Sequence, residues 1–251
     1  PQGYDIEFRQ VDFAYEQGKQ ILNNLSFIAR QGEKTALVGP SGAGKSTIAM
    51  LAARFWDIQD GEILIGNVPI KEIPTSVLMD NIALVFQDNM LFFDTIEENI
   101  RMGNKTATFE DVKRAACAAQ CHEFIEALPD GYQTLVGDGG TYLSGGEMQR
   151  LALARAILKD APVILLDEAT AFADPENEGK ILEAFSHLIK GKTVLVIAHR
   201  LGTITNADHI LYLDKGMITE KGTHEELLAL HGAYAHMWKT YNRAKEWIID
   251  R

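Results

Sequence analysis

The sequence predicts a mixed α/β protein folded as one body, and three observations carry that expectation. Residues 163–166 are apolar without a break, and 193–198 are so after Thr193, the pattern of strands buried on both faces of a parallel sheet. Residues 35–38 form a third apolar run that leads into a glycine-rich loop and then a helical pattern over 47–54. That strand–loop–helix step sets strand and helix side by side in one stretch of chain. Finally, residues 108–159 read as helical between these strands, which predicts an inserted helical region.

In chain order, short β-like runs at 6–8, 26–29 and 62–65 alternate with turns. They predict a mainly antiparallel region arranged around the buried strand 35–38. Thr108 then caps an Ala-rich helix running to Leu128, Pro129-Asp130-Gly131 breaks it, and a further helix starts near Ser144. After the two buried strands, residues 210–213 and 217–219 flank the turn Asp214-Lys215-Gly216, which reads as a hairpin. Thr223-His224-Glu225-Glu226 is a capping box and predicts a terminal helix.

With 251 residues, 46% of them hydrophobic, the chain has enough apolar material for one well-buried unit. A formal net charge of −11 with no block of Lys or Arg lacks the electrostatic footprint of a duplex-binding protein, so no nucleic-acid partner is expected. No apolar run approaches the roughly 18 residues that cross a bilayer, so no direct membrane insertion is expected. The opening Pro1-Gln2-Gly3-Tyr4 has neither a basic nor an apolar stretch of the kind that makes a secretion signal, and without a Met it reads as excised from a longer protein. Cys117 and Cys121, four residues apart, are expected on one helix face, where two thiols alone do not close a zinc site.

The loop Gly39-Pro40-Ser41-Gly42-Ala43-Gly44-Lys45-Ser46 matches the P-loop template in its strand–loop–helix context. Its glycines let backbone N–H groups turn inward around phosphate oxygens. Lys45 brings a cation to the β and γ phosphates of ATP, and Ser46 offers a hydroxyl to Mg2+. A glycine-rich turn formed for packing alone would not account for a Lys-Ser pair at that register. The run 163–166 ends in Asp167-Glu168, placing two carboxylates at a strand's C-terminal edge, where open α/β sheets bind ligands. Asp167 suits the Mg2+ side, and Glu168 suits orienting and deprotonating the attacking water.

Leu143-Ser144-Gly145-Gly146-Glu147-Met148-Gln149-Arg150 resembles the signature motif of ABC ATPases, and matches to that family extend over almost the whole chain. Tyr15 resembles the adenine-stacking aromatic, Gln87 the Q-loop glutamine, Ala171-Phe172-Ala173-Asp174 the D-loop and His199 the switch histidine. Residues 91–100 and 134–140 are similar to two segments of exporter-type ATP-binding domains, the second being the X-loop. The resemblance implies a P-loop RecA-like core with an antiparallel β subdomain and an inserted helical subdomain. As a single domain over 1–251, the core and β subdomain would take 1–87 and 160–251, and the helical subdomain 88–159.

The resemblance further implies catalytic roles for Glu168, His199, Gln87 and Lys45, and a Mg2+ site of Ser46, Gln87 and Asp167. Nucleotide contacts would come from Tyr15, from Gly39 through Thr47 along the loop, and from Ser144, Gly145, Gly146 and Asp174. Two such domains would pack head to tail around two Mg-ATP, each nucleotide lying between one P-loop and the partner's signature, and would drive a transmembrane domain from the cytoplasmic face of the membrane. Ser144 fits that role physically, because a helix N-terminus carries free N–H groups and a dipole that attract phosphate. Three positions depart from the usual pattern: Glu147 in place of Gln, Asp138 in place of Glu, and Phe172-Ala173 in place of Ala-Leu. Two other readings stand beside this one, a non-transport ABC ATPase of DNA repair or translation and a nucleotide-binding regulatory subunit. The exporter-like segments and acidic charge disfavour the first, and the presence of Glu168 and His199 the second.

Overall fold

The computed structural model describes residues 3–16, 18–85, 90–167, 175–198 and 204–249, with backbone alone for 175–178 and 244–249. The chain opens with β1 (Ile6–Ala14), β2 (Gln20–Ala29), β3 (Lys34–Val38), α1 (Lys45–Ala52), β4 (Asp60–Ile65), β5 (Val68–Pro69), α2 (Thr75–Asp80) and β6 (Ile82–Val85). It continues through β7 (Asp94–Thr95), α3 (Ile96–Arg101), α4 (Phe109–Ala118), α5 (His122–Glu126), β8 (Leu135–Val136), α6 (Gly145–Lys159) and β9 (Val163–Asp167). It ends with α7 (Pro175–Ile189), β10 (Thr193–Ile197), β11 (His209–Asp214), β12 (Met217–Gly222), α8 (His224–Ala229) and α9 (Ala233–Ile249).

The chain divides into two compact units, one of residues 1–82, 165–168 and 191–251, the other of residues 83–164 and 169–190. In the first, β2-β1-β4-β5 form an antiparallel sheet. Phe8 and Phe27 stack across β1 and β2 with ring centroids 4.7 Å apart, a cross-strand aromatic pair of the kind that holds such ladders together. A second sheet runs β12-β11-β3-β10-β9-β6, and the boundary between the units passes through β6 and β9.

This topology corrects one expectation. The buried run 35–38 is not the centre of the antiparallel region: β3 lies in the second sheet, parallel to both β10 and β11. Its unbroken apolar character already belongs to the parallel class, since both faces are covered; adjacency in sequence misdirected the assignment. All five residues of β10 are buried, as expected for 193–198.

The predicted hairpin forms as β11 and β12, turning through Lys215 (φ 48°) and Gly216 (φ 77°), both left-handed, as a two-residue type I′ turn requires. The capping box at Thr223 is present, with Thr223 accepting from Glu226 N and Glu226 accepting from Thr223 N. The helix it opens, α8, is short and not terminal, because α9 follows. Glu220 on β12 accepts from Ala233 N (2.5 Å) and Tyr234 N (3.1 Å) at the start of α9, so a carboxylate satisfies two N–H groups the helix leaves free. Tyr234 is fully buried among Ala36, Val38, Ile210 and Leu227.

In the second unit, α6 packs against α3, α4 and α7. The expected single helix from 108 to Leu128 is two. Helix α4 begins at the Thr108 cap with a capping box to Asp111, but it stops where Gln120 takes a left-handed φ of 56°. Cys121 N then bonds to Ala116 O (2.8 Å) and Gln120 N to Cys117 O (3.0 Å), the two bonds of a Schellman ending. Cys117 and Cys121 therefore do not share a helix face: Cys117 is exposed near the end of α4, and Cys121 is buried in the turn before α5. Burial pushes the Cys121 thiol far up from its ordinary pKa, which makes it a packing group. Among the described residues no helix is long and apolar enough to cross a membrane.

Candidate functional site

The phosphate loop hangs between β3 and α1. Gly39 has φ 138°, and a Cβ there would lie 2.1 Å from Leu213 O, so only glycine lets the loop leave β3 against the end of β11. The hairpin braces it again where Gly216 N donates to Ala43 O (3.2 Å). Gly44, also left-handed, stands at the N-cap of α1 with no side-chain cap, which leaves the N–H groups of the first turn directed at whatever sits in the loop.

Lys45 is buried, and its ammonium donates to Gly39 O and Pro40 O, both at 2.8 Å. The cation thus sits inside its own loop, facing the cradle from which a triphosphate would be held. Burial lowers the Lys45 pKa, and the charge of Asp167 partly opposes that shift. A bound polyanion would do the same with more charge. Ser46 Oγ donates to Asp167 Oδ2 at 3.1 Å, which joins the first turn of α1 to the C-terminal end of β9. These are two hard oxygen donors side by side, the donor chemistry Mg2+ takes when phosphate oxygens and water complete its shell. Among the described residues no cluster of three His, Cys, Asp or Glu stands ready to cage a metal.

Tyr15, at the end of β1, reaches the same helix. Its hydroxyl lies 3.1 Å from Thr47 Oγ1 and 3.8 Å from Met50 Sδ, and its ring is partly exposed. Tyr15, the loop from Gly39 through Thr47 and Asp167 therefore gather around the N-terminal half of α1. Gln87, Glu168, Asp174 and His199 lie outside the described residues.

In the second unit, Ser144 is the N-cap of α6 in extended geometry (φ −63°, ψ 158°). It accepts from Glu147 N at 3.3 Å, and Glu147 Oε2 accepts from Ser144 N at 2.8 Å and from Ser144 Oγ at 2.8 Å. Ser144 and Glu147 thus form a capping box in which the carboxylate engages the Ser144 hydroxyl proton as well as the backbone. Gly145 and Gly146 supply the first turn of α6.

The two exporter-like segments pair with each other, Asp94 opposite Val136 and Thr95 opposite Leu135. Asn99, which sequence reasoning passed over, holds this structure. Its side chain accepts from Phe92 N (2.9 Å) and donates to Phe92 O (2.9 Å) and Thr95 O (3.0 Å). Arg155 on α6 donates to Asn99 O (2.9 Å) and Asn99 Oδ1 (3.2 Å). Asn99 falls within the segment 91–100 but carries no role of its own in that resemblance; its signal lies in partners 56 residues apart. Phe92, Phe93 and Leu135 are exposed around this pairing, an apolar cluster of the kind that marks an interaction surface.

Comparison with known proteins places this geometry among relatives. The family model described as ABC transporter matches residues 22–171. An ATP-dependent lipid A-core flippase of Legionella pneumophila is 45% identical over 247 residues, spanning 98% of this chain and 42% of its own length. A mycobactin import ATP-binding/permease protein of Mycobacterium tuberculosis is 49% identical over 235 residues, spanning 94% of this chain and 27% of its own. A bacterial Atm1-family ABC exporter solved with ATP bound superposes with a TM-score of 0.90 at 44% identity, over 95% of this chain and 42% of that one. The chain thus spans less than half the length of the relatives it matches. The names of those relatives include a flippase, an importer and an exporter, so what they share with this chain is the domain and not a cargo.

Proposed function

The chain belongs to the ATPase domains of the ABC transporter family, and from that premise we propose that it binds and hydrolyses Mg-ATP to power a transmembrane domain. The observation that carries this reading is the joined set of Lys45, Ser46 and Asp167, a buried cation and two oxygen donors gathered at one end of α1. Loop N–H groups and Lys45 hold the phosphates; Ser46 and Asp167, with Gln87, hold Mg2+. When bound, Mg2+ neutralises charge on the phosphate oxygens. Glu168 orients the attacking water and takes its proton, and His199 contacts the γ-phosphate. Tyr15 stacks on the base.

The second half of each site is supplied by Ser144, Gly145 and Gly146 of another such domain, and Asp174 adds a further nucleotide contact. This is supported by the free N–H groups at the α6 N-terminus, which attract phosphate. The proposed place of action is the cytoplasmic face of a membrane. The apolar cluster of Phe92, Phe93 and Leu135 supports contact with the transmembrane partner. The division into a core of 1–87 and 160–251 and a helical subdomain of 88–159 is kept as part of this reading.

The test is a turnover assay with nucleotide binding measured in parallel. Glu168→Gln is expected to retain ATP while slowing hydrolysis by roughly a hundredfold or more, the size of a lost general base. Lys45→Ala is expected to lose ATP binding itself. Hydrolysis by Glu168→Gln at the parent rate would remove Glu168 from the chemistry.

A further inference from the structure

We propose that Trp56 is a positioning residue for the nucleotide base, acting through Tyr15; the proposal rests on the reading that Tyr15 stacks on that base. Helix α1 holds Tyr15 from one side. Near its N-terminus the helix offers Thr47 Oγ1 at 3.1 Å from the Tyr15 hydroxyl, and midway it offers Met50 Sδ at 3.8 Å. Just beyond its C-terminus stands Trp56, whose ring centroid is 5.3 Å from that of Tyr15 at an interplanar angle of 84°. Phe13, buried, meets Tyr15 at 4.8 Å and 86°. Both contacts have the edge-to-face geometry that ring quadrupoles favour.

The chain is turned to make the Trp56 contact. Arg54 takes a left-handed φ of 56° directly after α1, and its guanidinium donates to Ile70 O (3.1 Å) and Ile73 O (3.2 Å). Phe55 N bonds back to Met50 O at 2.9 Å. A β-branched or bulky residue with positive φ needs compensation from its surroundings, and here the two carbonyl contacts supply it for an arginine. Trp56 itself is 50% exposed and borders a cavity of about 340 Å³ with Arg54, Gln59 and Lys71. Its role is therefore not that of a buried core filler: the aromatic contact the structure gives it is Tyr15.

The consequence is a ruler. One helix starts in the phosphate loop and holds the Tyr15 hydroxyl at two points, Thr47 and Met50, while Trp56 just beyond it meets the Tyr15 ring. Trp56 meets that ring edge-to-face, so it sets how well the base platform and the phosphate cradle serve one nucleotide at the same time. Trp56 acts on affinity through its contact with Tyr15.

Binding of ATP and of inorganic tripolyphosphate would be measured by calorimetry on the 251-residue chain and its variants, alongside steady-state hydrolysis. Trp56→Ala is expected to weaken ATP binding threefold to tenfold, the range of one aromatic pair, raising KM with kcat unchanged and leaving tripolyphosphate affinity at the parent value. Trp56→Phe is expected to recover most of the loss. In a Tyr15→Ala background, Trp56→Ala should add nothing. Equal weakening of tripolyphosphate, or a full further loss in the Tyr15→Ala background, would make Trp56 a structural residue and overturn the proposal. Weaker ATP binding by Tyr15→Ala but not by Trp56→Ala would overturn it while sparing the stacking role. Unchanged ATP affinity in Tyr15→Ala would remove both.

Discussion

Lys45 shows how much of a site a single residue can disclose. Its type and register in the loop announced a phosphate-binding cation, and the structure buries it against Gly39 O and Pro40 O. Because burial lowers its pKa, the unfolded chain holds more protons than the folded one between the depressed value and the ordinary lysine value. Stability of the nucleotide-free chain is therefore expected to rise with pH across that window, and the rise should vanish in Lys45→Met. Denaturant titrations at stepped pH check this; an equal rise in both proteins would assign it to other groups. Glu147 carries a second expectation. Its carboxylate closes the cap on Ser144, and glutamine can close it equally while removing a negative charge from beside the proposed phosphate position. Glu147→Gln is expected to change stability by less than about 0.5 kcal/mol and to tighten ATP-induced association of a Glu168→Gln background. Sedimentation at low salt, where repulsion is least screened, would show unchanged or weaker association if capping is all Glu147 does. Asn99 was not legible beforehand, because its importance lies in buried partners that only folding assembles. Asn99→Ala strands several buried donors and acceptors and is expected to cost about 3 kcal/mol in urea unfolding; a loss under 1 kcal/mol would mean water replaces them.

At the scale of elements, what local chemistry governs could be read and what distant partners govern could not. The capping box at Thr223, the helix start at Ser144 and the turn through Lys215-Gly216 rest on contacts within a few residues, and each formed as read. The Ala-rich stretch after Thr108 holds no Gly or Pro before Pro129, so no breaker marks Gln120 as the stop; packing of Cys121 into the interior decides that. The left-handed Gln120 supplies its own test. Gln120→Gly is expected to stabilise the chain by about 0.5–1 kcal/mol, since glycine takes that φ without a Cβ penalty. Destabilisation on chemical denaturation would mean that the Gln120 side chain contributes more than the backbone loses. The assignment of strand 35–38 failed for the opposite reason: its buried pattern was read correctly, but its neighbours β10 and β11 lie far along the sequence.

For the whole molecule, the central claim is that a complete ATP site needs two copies of this domain, the P-loop of one and the α6 N-terminus of the other. Two chains of charge −11 repel each other, so association should depend on a bound nucleotide whose charge is met by Lys45, by Mg2+ and by the helix N-termini. The direct measurement is sedimentation equilibrium of Glu168→Gln with Mg-ATP, with ADP, and with no nucleotide. The account predicts twice the 27.8 kDa chain mass with Mg-ATP alone, and a return to the single mass with Mg-ATP when Ser144→Arg is added. A single mass under every condition, or a dimer that ignores both nucleotide and Ser144, would contradict it.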